Sequence, residues 1–243
     1  MAAATETSTI VIRDIDGATE MRAVEELQKE VWRIPDLDVV PLSHLVAAKA
    51  AGGVLLGAFD RETLIGFVYG FVSHERGTVS HHSHMLAVKP AYRNSKLGYR
   101  LKLAQRERVL AQGITVMTWT FDPLQSLNAH FNFNKLGVVA DRYLPDFYGD
   151  DAASFLHQTG TDRLWVSWFV SESGSPLVFE SNDSITIEIP RDINSLQQQQ
   201  PEAAMKWREE TRRAFMEAIK AGYVVVGFTH GRYLLRKENP EIP

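Results

Sequence analysis

Residues 85–98 have the composition of a phosphate-binding turn. They read MLAVKPAYRNSKLG, an apolar run followed by a proline and by basic and small polar residues. Backbone N–H groups at the start of a helix have no partner within the helix and carry partial positive charge, so they can hold a pyrophosphate. Arg93, Lys96 and Arg100 would add positive charge, and Gly98 would let a phosphate approach the backbone closely. An ordinary strand–loop–helix connection is the alternative, and the sequence has no Walker loop and no GxGxxG motif after a strand.

Two histidines precede this segment at strand spacing. His82 and His84 should share one face of a strand, and regular alternation extends that face to Leu86 and Val88. Neutral imidazole is a suitable proton acceptor near pH 7, so either histidine is a candidate general base. Glu75, in the preceding turn, is the rival base. The plainer interpretation is that both histidines only pack or lie at the surface.

A metal site is a further interpretation of the same region. His74, Glu75 and His81 lie close in the sequence to His82 and His84, and histidine and carboxylate side chains bind zinc. His81 and His82 should point to opposite faces of a strand, so only His82 and His84 would converge. The chain has no cysteine, which excludes disulfides, thiolate metal ligands and an acyl-cysteine intermediate. We therefore expect no metal.

The hydrophobic pattern places this region in a mixed α/β domain. A helix over 97–112, with Leu97, Leu101, Ala104 and Ala111 on one face, joins two strands that should be parallel neighbours through a right-handed crossover. The other strands should be mostly antiparallel. The expected strands are 9–14, 54–59, 64–72, 79–88, 114–121, 138–144 and 164–170, and the other expected helices are 18–33, 42–51 and 128–136.

The composition shifts near residue 171. Beyond it we expect a strand over 184–189, a polar linker over 197–200, a helix over 201–221 and a hairpin over 223–236. The chain is thus divided into a disordered tail (1–9), a main domain (10–172) and a C-terminal extension (173–243). The extension either packs on the main domain or, in a sharper hypothesis, covers an acceptor pocket or forms a dimer surface, so a homodimer stays open.

The net charge and the hydropathy of the chain disfavour some classes of binding partner. The formal net charge is −4, which disfavours a general nucleic-acid or anionic-membrane surface. No apolar stretch approaches the roughly 20 residues that a membrane span needs, and the small, polar start does not resemble a signal peptide. We expect a cytoplasmic protein without nucleic-acid or membrane partners.

Two segments resemble the GNAT superfamily of acyltransferases. The first is similar to its acyl-CoA-binding motif, V-x-P-x-x-R-x-x-G-x-G: Val88, Pro90, Arg93 and Gly98 match. Two usual glycines are replaced, by Asn94 and Lys96. The second, WTFDPLQSLNAHFNFNKLG over 119–137, resembles the later family pattern, and the matching residues are Asn128, Ala129, Lys135, Leu136 and Gly137. The likeness covers roughly residues 10–170.

A narrower resemblance rests on HSHMLAV, WTFDPL, DRYLPDFYG and TDRLWVSW. These segments are similar to a poorly characterised GNAT group that includes amino-acid N-acyltransferases and N-succinyltransferases. The resemblance implies transfer of an acetyl or succinyl group from acetyl-CoA or another acyl-CoA to the amine of a small molecule such as an amino acid. A non-catalytic acyl-CoA sensor is the alternative.

The resemblance also implies site residues. The pantetheine arm would lie between 85–88 and 119–122, in a gap between two splayed parallel strands. The residues implied to bind the cofactor are Leu86, Ala87, Val88, Arg93, Asn94, Ser95, Lys96, Leu97, Gly98, Tyr99 and Asn128. His82 stands where some relatives have a glutamate, six residues before the valine. The position of the usual acidic tyrosine is Phe133, so Tyr143, Tyr148 or solvent would protonate the leaving thiolate.

Two adjacent pairs of opposite charge follow the second motif. Asp141–Arg142 and Asp162–Arg163 are expected to be structural ion pairs. Alternatively, Arg142 or Arg163 could grip a substrate carboxylate with its two-pronged guanidinium.

Overall fold

The computed structural model describes residues 10–93, 95–149, 159–171 and 183–237. The chain divides into two compact units between Met117 and Thr118. The fold is of the mixed α/β class with a mostly antiparallel sheet and one parallel pair, so the expected fold class is confirmed. The expected domain boundary between 172 and 173 lies outside the described residues and stays a prediction.

The first unit contains four antiparallel strands in sequential order and the start of a fifth. The strands are β1 (Val11–Asp14), β2 (Val54–Asp60), β3 (Thr63–Glu75), β4 (Thr78–Val88) and β5 (Val116–Phe121), and the helices are α1 (Gly17–Trp32), α2 (Leu42–Ala50) and α3 (Leu97–Ala111). Helix α3 follows β4 and leads into β5, as expected for the parallel pair.

The core of this unit lies where α1 and α2 cover one face of β2, β3 and β4. Met21, Val24 and Leu27 recur at helical spacing along α1 and are buried. They pack with residues of the strands, among them Phe67 and Tyr69 of β3. Burying an apolar side chain contributes about 1.5–3 kcal/mol, so this periodic face accounts for the position of α1.

A β-bulge at His84 interrupts the regular pairing of β3 with β4. Tyr69 lies opposite Met85, whereas Gly70 lies opposite Ser83, so His84 has no partner on β3. A single extra residue moves all following side chains to the other face of the strand. Our expectation that His82 and His84 share a face with Leu86 and Val88 is therefore wrong.

The two faces of β4 are assigned by their contacts. The first face, towards α1 and α2, holds His82, His84, Met85 and Ala87: the ring of His82 packs on Phe71, and Met85 and Ala87 belong to the core. The second face, towards α3, holds His81, Ser83, Leu86 and Val88.

Helix α3 buries a mixed face rather than an apolar one. Leu97 and Leu101 are buried as expected, but the other buried residues of the helix are Lys102, Gln105 and Val109. Ala104 is half-buried and Ala111 is exposed. The alanines are displaced because the polar side chains Lys102 and Gln105 find partners on β4.

The second unit holds the rest of the sheet, in the order β5-β7-β6-β9-β10-β8. Its elements are α4 (Ser126–His130), a π-helix (Phe131–Leu136), β6 (Val139–Leu144), β7 (Arg163–Phe169), β8 (Ser184–Glu188), α5 (Ile193–Gln199), α6 (Pro201–Lys220), β9 (Tyr223–Thr229) and β10 (Arg232–Lys237). Strand β9 of the extension pairs with β6 at Val225 and Ala140. The extension therefore continues the sheet of this unit.

The polar run at 197–200 was expected to be a linker, and this is wrong. Residues up to Gln199 belong to α5. Asp192 caps this helix, since its carboxylate accepts hydrogen bonds from the backbone N–H and the hydroxyl of Ser195, at 3.0 and 2.6 Å. Glutamine is a good helix former, so a polar sequence with a cap at its start forms a helix.

Candidate functional site

The loop between β4 and α3 ends at Lys96, whose side chain does not cap the N-terminus of α3. Lys96 is the residue before α3, and its φ of 62° places it in the left-handed region that favours glycine. Among the residues that the structure describes, no side-chain capping hydrogen bond is made at the first turn of α3, which leaves its N–H groups available for an anion. Lys96 thus adopts a conformation typical of the glycine that the family motif usually has there.

The neighbouring loop residues are placed by short contacts. The Ser95 hydroxyl donates to the Tyr92 carbonyl at 2.6 Å, and the Tyr92 hydroxyl donates to Asp60 at 2.8 Å. Arg93 reaches back to the Val88 carbonyl with its Nε at 3.4 Å, and its side chain is exposed. Leu97 is buried and Tyr99 half-buried in the first turn of α3. Asn94 lies outside the described residues.

Gly98 has no packing reason to be a glycine. Its φ is not in the left-handed region, and a Cβ built on it would meet only Leu86, at an ordinary distance of 3.7 Å. Glycine in a helix costs about 0.5–1 kcal/mol relative to alanine. A residue that costs stability without easing any contact is typical of a position where a ligand approaches the backbone.

Both candidate histidines lie on the first face of β4, in an aromatic cluster. The ring centroid of His84 lies 6.2 Å from Tyr69, 5.8 Å from Phe71 and 6.2 Å from His82. His84 is exposed, whereas His82 is half-buried and packs on Phe71 at 5.4 Å. Desolvation by the surrounding atoms, and then the charge of His44, lower the pKa of His84. His84 therefore stays neutral and able to accept a proton near pH 7.

Tyr69 is a member of this cluster that sequence reasoning missed. Its hydroxyl shares a hydrogen bond of 2.8 Å with Nε2 of His44, and burial raises its pKa to about 12. The hydroxyl thus stays protonated at neutral pH. The alternation of Tyr69 with Phe71 along β3 was the available signal. Glu75, by contrast, closes β3 next to a turn and pairs across it with Thr78, several residues beyond the histidines.

The second face of β4 carries a buried polar chain. The Lys102 amine donates to the Ser83 hydroxyl at 2.6 Å, and Ser83 donates to Oε1 of Gln105 at 2.7 Å. The Gln105 amide lies 3.2 Å from Nε2 of His81. Burial lowers the pKa of Lys102 to about 7 and that of His81 to about 3. A side chain on Gly70 would clash with His81, so this glycine makes room for the chain.

In the second unit, Asn128 lies on α4 and is exposed. Phe133, at the position of the usual tyrosine, is buried and packs edge-on against Phe121 and Tyr233 at 6.4 and 5.7 Å. Asn132, beside it, accepts a hydrogen bond of 3.2 Å from the indole of Trp119. Phe133 therefore fills an aromatic core, and Asn128 is an exposed polar residue of α4.

The candidate acids Tyr143 and Tyr148 differ in environment. Tyr143 is buried, stacks on Phe215 at 5.4 Å and donates to Asp162 at 2.6 Å. Burial, and then the charge of Asp162, raise its pKa far above the usual value. Tyr148 is exposed, and its ring lies under the guanidinium of Arg163 at 5.0 Å. This geometry favours a structural role for Tyr143.

The expected ion pairs Asp141–Arg142 and Asp162–Arg163 have different partners in the structure. Arg142 and Asp141 approach to 3.7 Å. The carboxylate of Asp162 instead binds Arg212 at 2.5 Å, while the guanidinium of Arg163 donates to the main-chain carbonyl of Asp162 at 2.8 Å. Asp162 was expected to pair with its neighbour, but a helix of the extension supplies its partner.

The described residues bear on the metal-site and membrane interpretations. Among residues 10–93, 95–149, 159–171 and 183–237, no three His, Cys, Asp or Glu side chains are grouped so that they could hold a metal ion. In the same part of the chain, no helix combines the length and apolar character of a membrane span.

Part of this chain matches a known protein family, and its structure is similar to solved structures. Residues 19–137 match the family described as "Acetyltransferase (GNAT) family". No curated protein sequence matches the chain. Among solved structures, the ribosomal-protein-S18-alanine N-acetyltransferase from Escherichia coli aligns with a TM-score of 0.55 and 13% identity, covering 70% of this chain and 100% of its own.

Two further structures share this fold. The aminoglycoside 6'-N-acetyltransferase from Enterococcus faecium has a TM-score of 0.51 and 16% identity, covering 68% of this chain and 99% of its own. Arabidopsis thaliana Naa50, in complex with a bisubstrate analogue containing CoA, has a TM-score of 0.51 and 12% identity, covering 65% of this chain and 97% of its own. At such identities the likeness shows the fold alone.

Proposed function

We propose that this protein transfers an acetyl or succinyl group from acyl-CoA to the amine of a small molecule, such as an amino acid, because residues 19–137 match the GNAT acetyltransferase family. The observation that carries the proposal is the uncapped start of α3, with Lys96 in a glycine-like conformation and Gly98 free of packing constraints. This arrangement suits the pyrophosphate of a coenzyme A.

His84 is the proposed general base. The amine of the acceptor attacks the thioester carbonyl, and the neutral imidazole takes the proton that the amine loses. The bulge favours His84 over His82, because His84 has no partner on β3 and is exposed, whereas His82 lies opposite Phe71 and is half-buried. Tyr69, held protonated, is a candidate donor on the same face, and solvent can protonate the thiolate leaving group as well.

A non-catalytic acyl-CoA sensor is the second candidate function. The observation that favours it is Phe133, which places a buried hydrocarbon ring where the family usually has an acidic tyrosine. Such a protein would bind acyl-CoA without turnover.

Thermal unfolding with CoA, acetyl-CoA and succinyl-CoA tests the binding step. A ligand at 100 times its dissociation constant stabilises by about 2.7 kcal/mol, so we expect the midpoint to rise by roughly 5–10 °C. Turnover is then followed as free thiol released with a panel of amines, an assay without protein background because the chain has no cysteine. A shift with thiol release supports the enzyme, and a shift without release under any amine supports the sensor. No shift with any of the three would overturn both.

Replacing Gly98 with alanine should separate stability from binding. The free energy of unfolding of the variant should be about 0.5–1 kcal/mol higher than that of the wild type, so it should unfold at a slightly higher temperature. Its affinity for CoA should nevertheless be about tenfold weaker, a loss of about 1.4 kcal/mol of binding free energy. Calorimetric unfolding and titration measure the two effects. The reverse change, Ala111→Gly at the exposed end of the same helix, should lower stability and leave CoA binding unchanged. Equal CoA affinity in wild type and Gly98→Ala would contradict the proposed contact.

A further inference from the structure

Four residues that join β5 to α4, Asp122–Gln125, are held by three elements of the C-terminal extension. We call them the 122–125 segment. Oδ1 of Asp122 accepts a hydrogen bond of 2.8 Å from Nη2 of Arg208 on α6. The carbonyl of Pro123 accepts one of 2.6 Å from the hydroxyl of Tyr233 on β10. The side-chain amides of Gln125 and Asn194 on α5 exchange two hydrogen bonds of 3.1 and 3.2 Å.

The Arg208 and Tyr233 contacts lie largely out of water, whereas the Gln125–Asn194 pair is exposed. Arg208 and Tyr233 expose 1% and 0% of their surfaces. Arg208 is fixed further by its Nε, which donates to the Thr159 carbonyl at 3.1 Å. A buried guanidinium needs a charged partner, since removing one member of such a pair leaves an uncompensated charge. The position of Asp122 is therefore tied to that of α6.

The 122–125 segment in turn sets the start of α4. Gln125 is the residue before the helix, and Oδ1 of Asp122 also accepts the N–H of Leu124 at 2.9 Å. Asn128 follows in the first turn of α4 and is exposed. Beyond the end of α4, Tyr233 also packs edge-on against Phe133 of the π-helix. The extension thus contacts the chain both before and after Asn128.

We propose that Arg208, Tyr233 and Asn194 are positioning residues for acyl-CoA binding: they hold the 122–125 segment so that α4 presents Asn128 to the cofactor. This inference rests on the proposed function, together with the contact between Asn128 and acyl-CoA that the family resemblance implies. It assigns the C-terminal extension a role in donor affinity. None of the three side chains has to touch the cofactor itself.

The test measures CoA dissociation constants by calorimetry in the full chain. Tyr233→Phe removes one hydrogen bond to the segment and Asn194→Ala removes two, and neither change leaves a buried charge. Each should weaken CoA binding by about fivefold, a loss within the range expected for one or two neutral hydrogen bonds. Tyr223→Phe is the matched control, because Tyr223 belongs to β9 of the same extension and its hydroxyl bonds to Asp183. This variant should bind CoA like the wild type.

A background with Asn128→Ala distinguishes positioning from general stability. There, Tyr233→Phe and Asn194→Ala should change CoA affinity by less than about twofold, since contacts that act through one residue are not additive once it is gone. The same fivefold loss in both backgrounds would overturn the inference. So would unchanged affinity in Tyr233→Phe and Asn194→Ala, or an Asn128→Ala variant that binds CoA like the wild type, while the proposed function stands in each case. A wild-type protein that binds no CoA would overturn the proposed function itself.

Discussion

Replacing His84 with alanine should lower kcat by about 100-fold or more, within the range expected for loss of a general base. His84 lies in a β-bulge and has no partner on β3, and its exposed imidazole is next to the ring of Tyr69. Its lowered pKa keeps it neutral, so it can take a proton from the attacking amine. The residues proposed to hold the pyrophosphate, Lys96 and Gly98, lie beyond β4 at the start of α3, so the dissociation constant of CoA should change little.

The pH dependence of kcat identifies the residue. In the wild type, kcat should fall as the pH drops through a value below the ordinary histidine pKa of about 6.5, because the base becomes protonated. This acidic limb should disappear in His84→Gln. His82→Ala should keep the limb and lose less activity, and His74→Ala, at an exposed site further along β3, should behave as the wild type. If the acidic limb of the kcat profile disappears in His82→Gln and not in His84→Gln, then His82 is the general base.

Lys102→Met should change how stability depends on pH. The pKa of Lys102 is about 7 in the folded protein and about 10.4 in an unfolded chain. Between these values the unfolded chain binds a proton that the folded protein does not, so the free energy of unfolding rises with pH, by at most about 1.4 kcal/mol per unit. Below pH 7 the amine is protonated in both states, and the cost of burying its charge is fully present. The variant removes this cost.

We therefore expect Lys102→Met to be more stable than the wild type at pH 6, with an advantage at least about 1 kcal/mol larger than at pH 9 and lost only as the pH approaches about 10.4. Denaturant unfolding at several pH values measures the difference. Lys206→Met is the control, since Lys206 lies on α6 with its side chain 74% exposed and loses the same charge. Parallel stability profiles of Lys102→Met and wild type from pH 6 to 9 would show that the buried amine does not titrate in this range.

Local patterns predicted well the elements on either side of the loop between β4 and α3. The apolar run of β4, the proline at residue 90 and the periodic face of α3 define a strand, a turn and a helix within a short stretch. These signals depend on neighbouring residues. Periodicity alone could not reveal the bulge, because alternation of His82, His84 and Leu86 looks regular whether or not one residue is extra.

Contacts between distant parts of the chain had no local signal. Arg208 lies 86 positions from Asp122, and Tyr233 lies 110 positions from Pro123. Both residues fit an ordinary helix and an ordinary strand when viewed in the sequence. Lys102 was hidden in the same way, since a lysine beside Leu101 in a helix is normally taken as part of the solvated face. Only the partner on another element distinguishes a buried polar residue from an exposed one.

The pairing of β9 with β6 protects a sheet edge. Strand β6 is bonded to β7 on one side, and on the other its partner is β9. A chain cut before the extension would present the backbone N–H and C=O groups of β6 to solvent, a surface that pairs readily with other chains. Such a truncated protein should aggregate whether or not the extension takes part in catalysis. Single side-chain changes therefore report on the role of the extension more faithfully than removal of it.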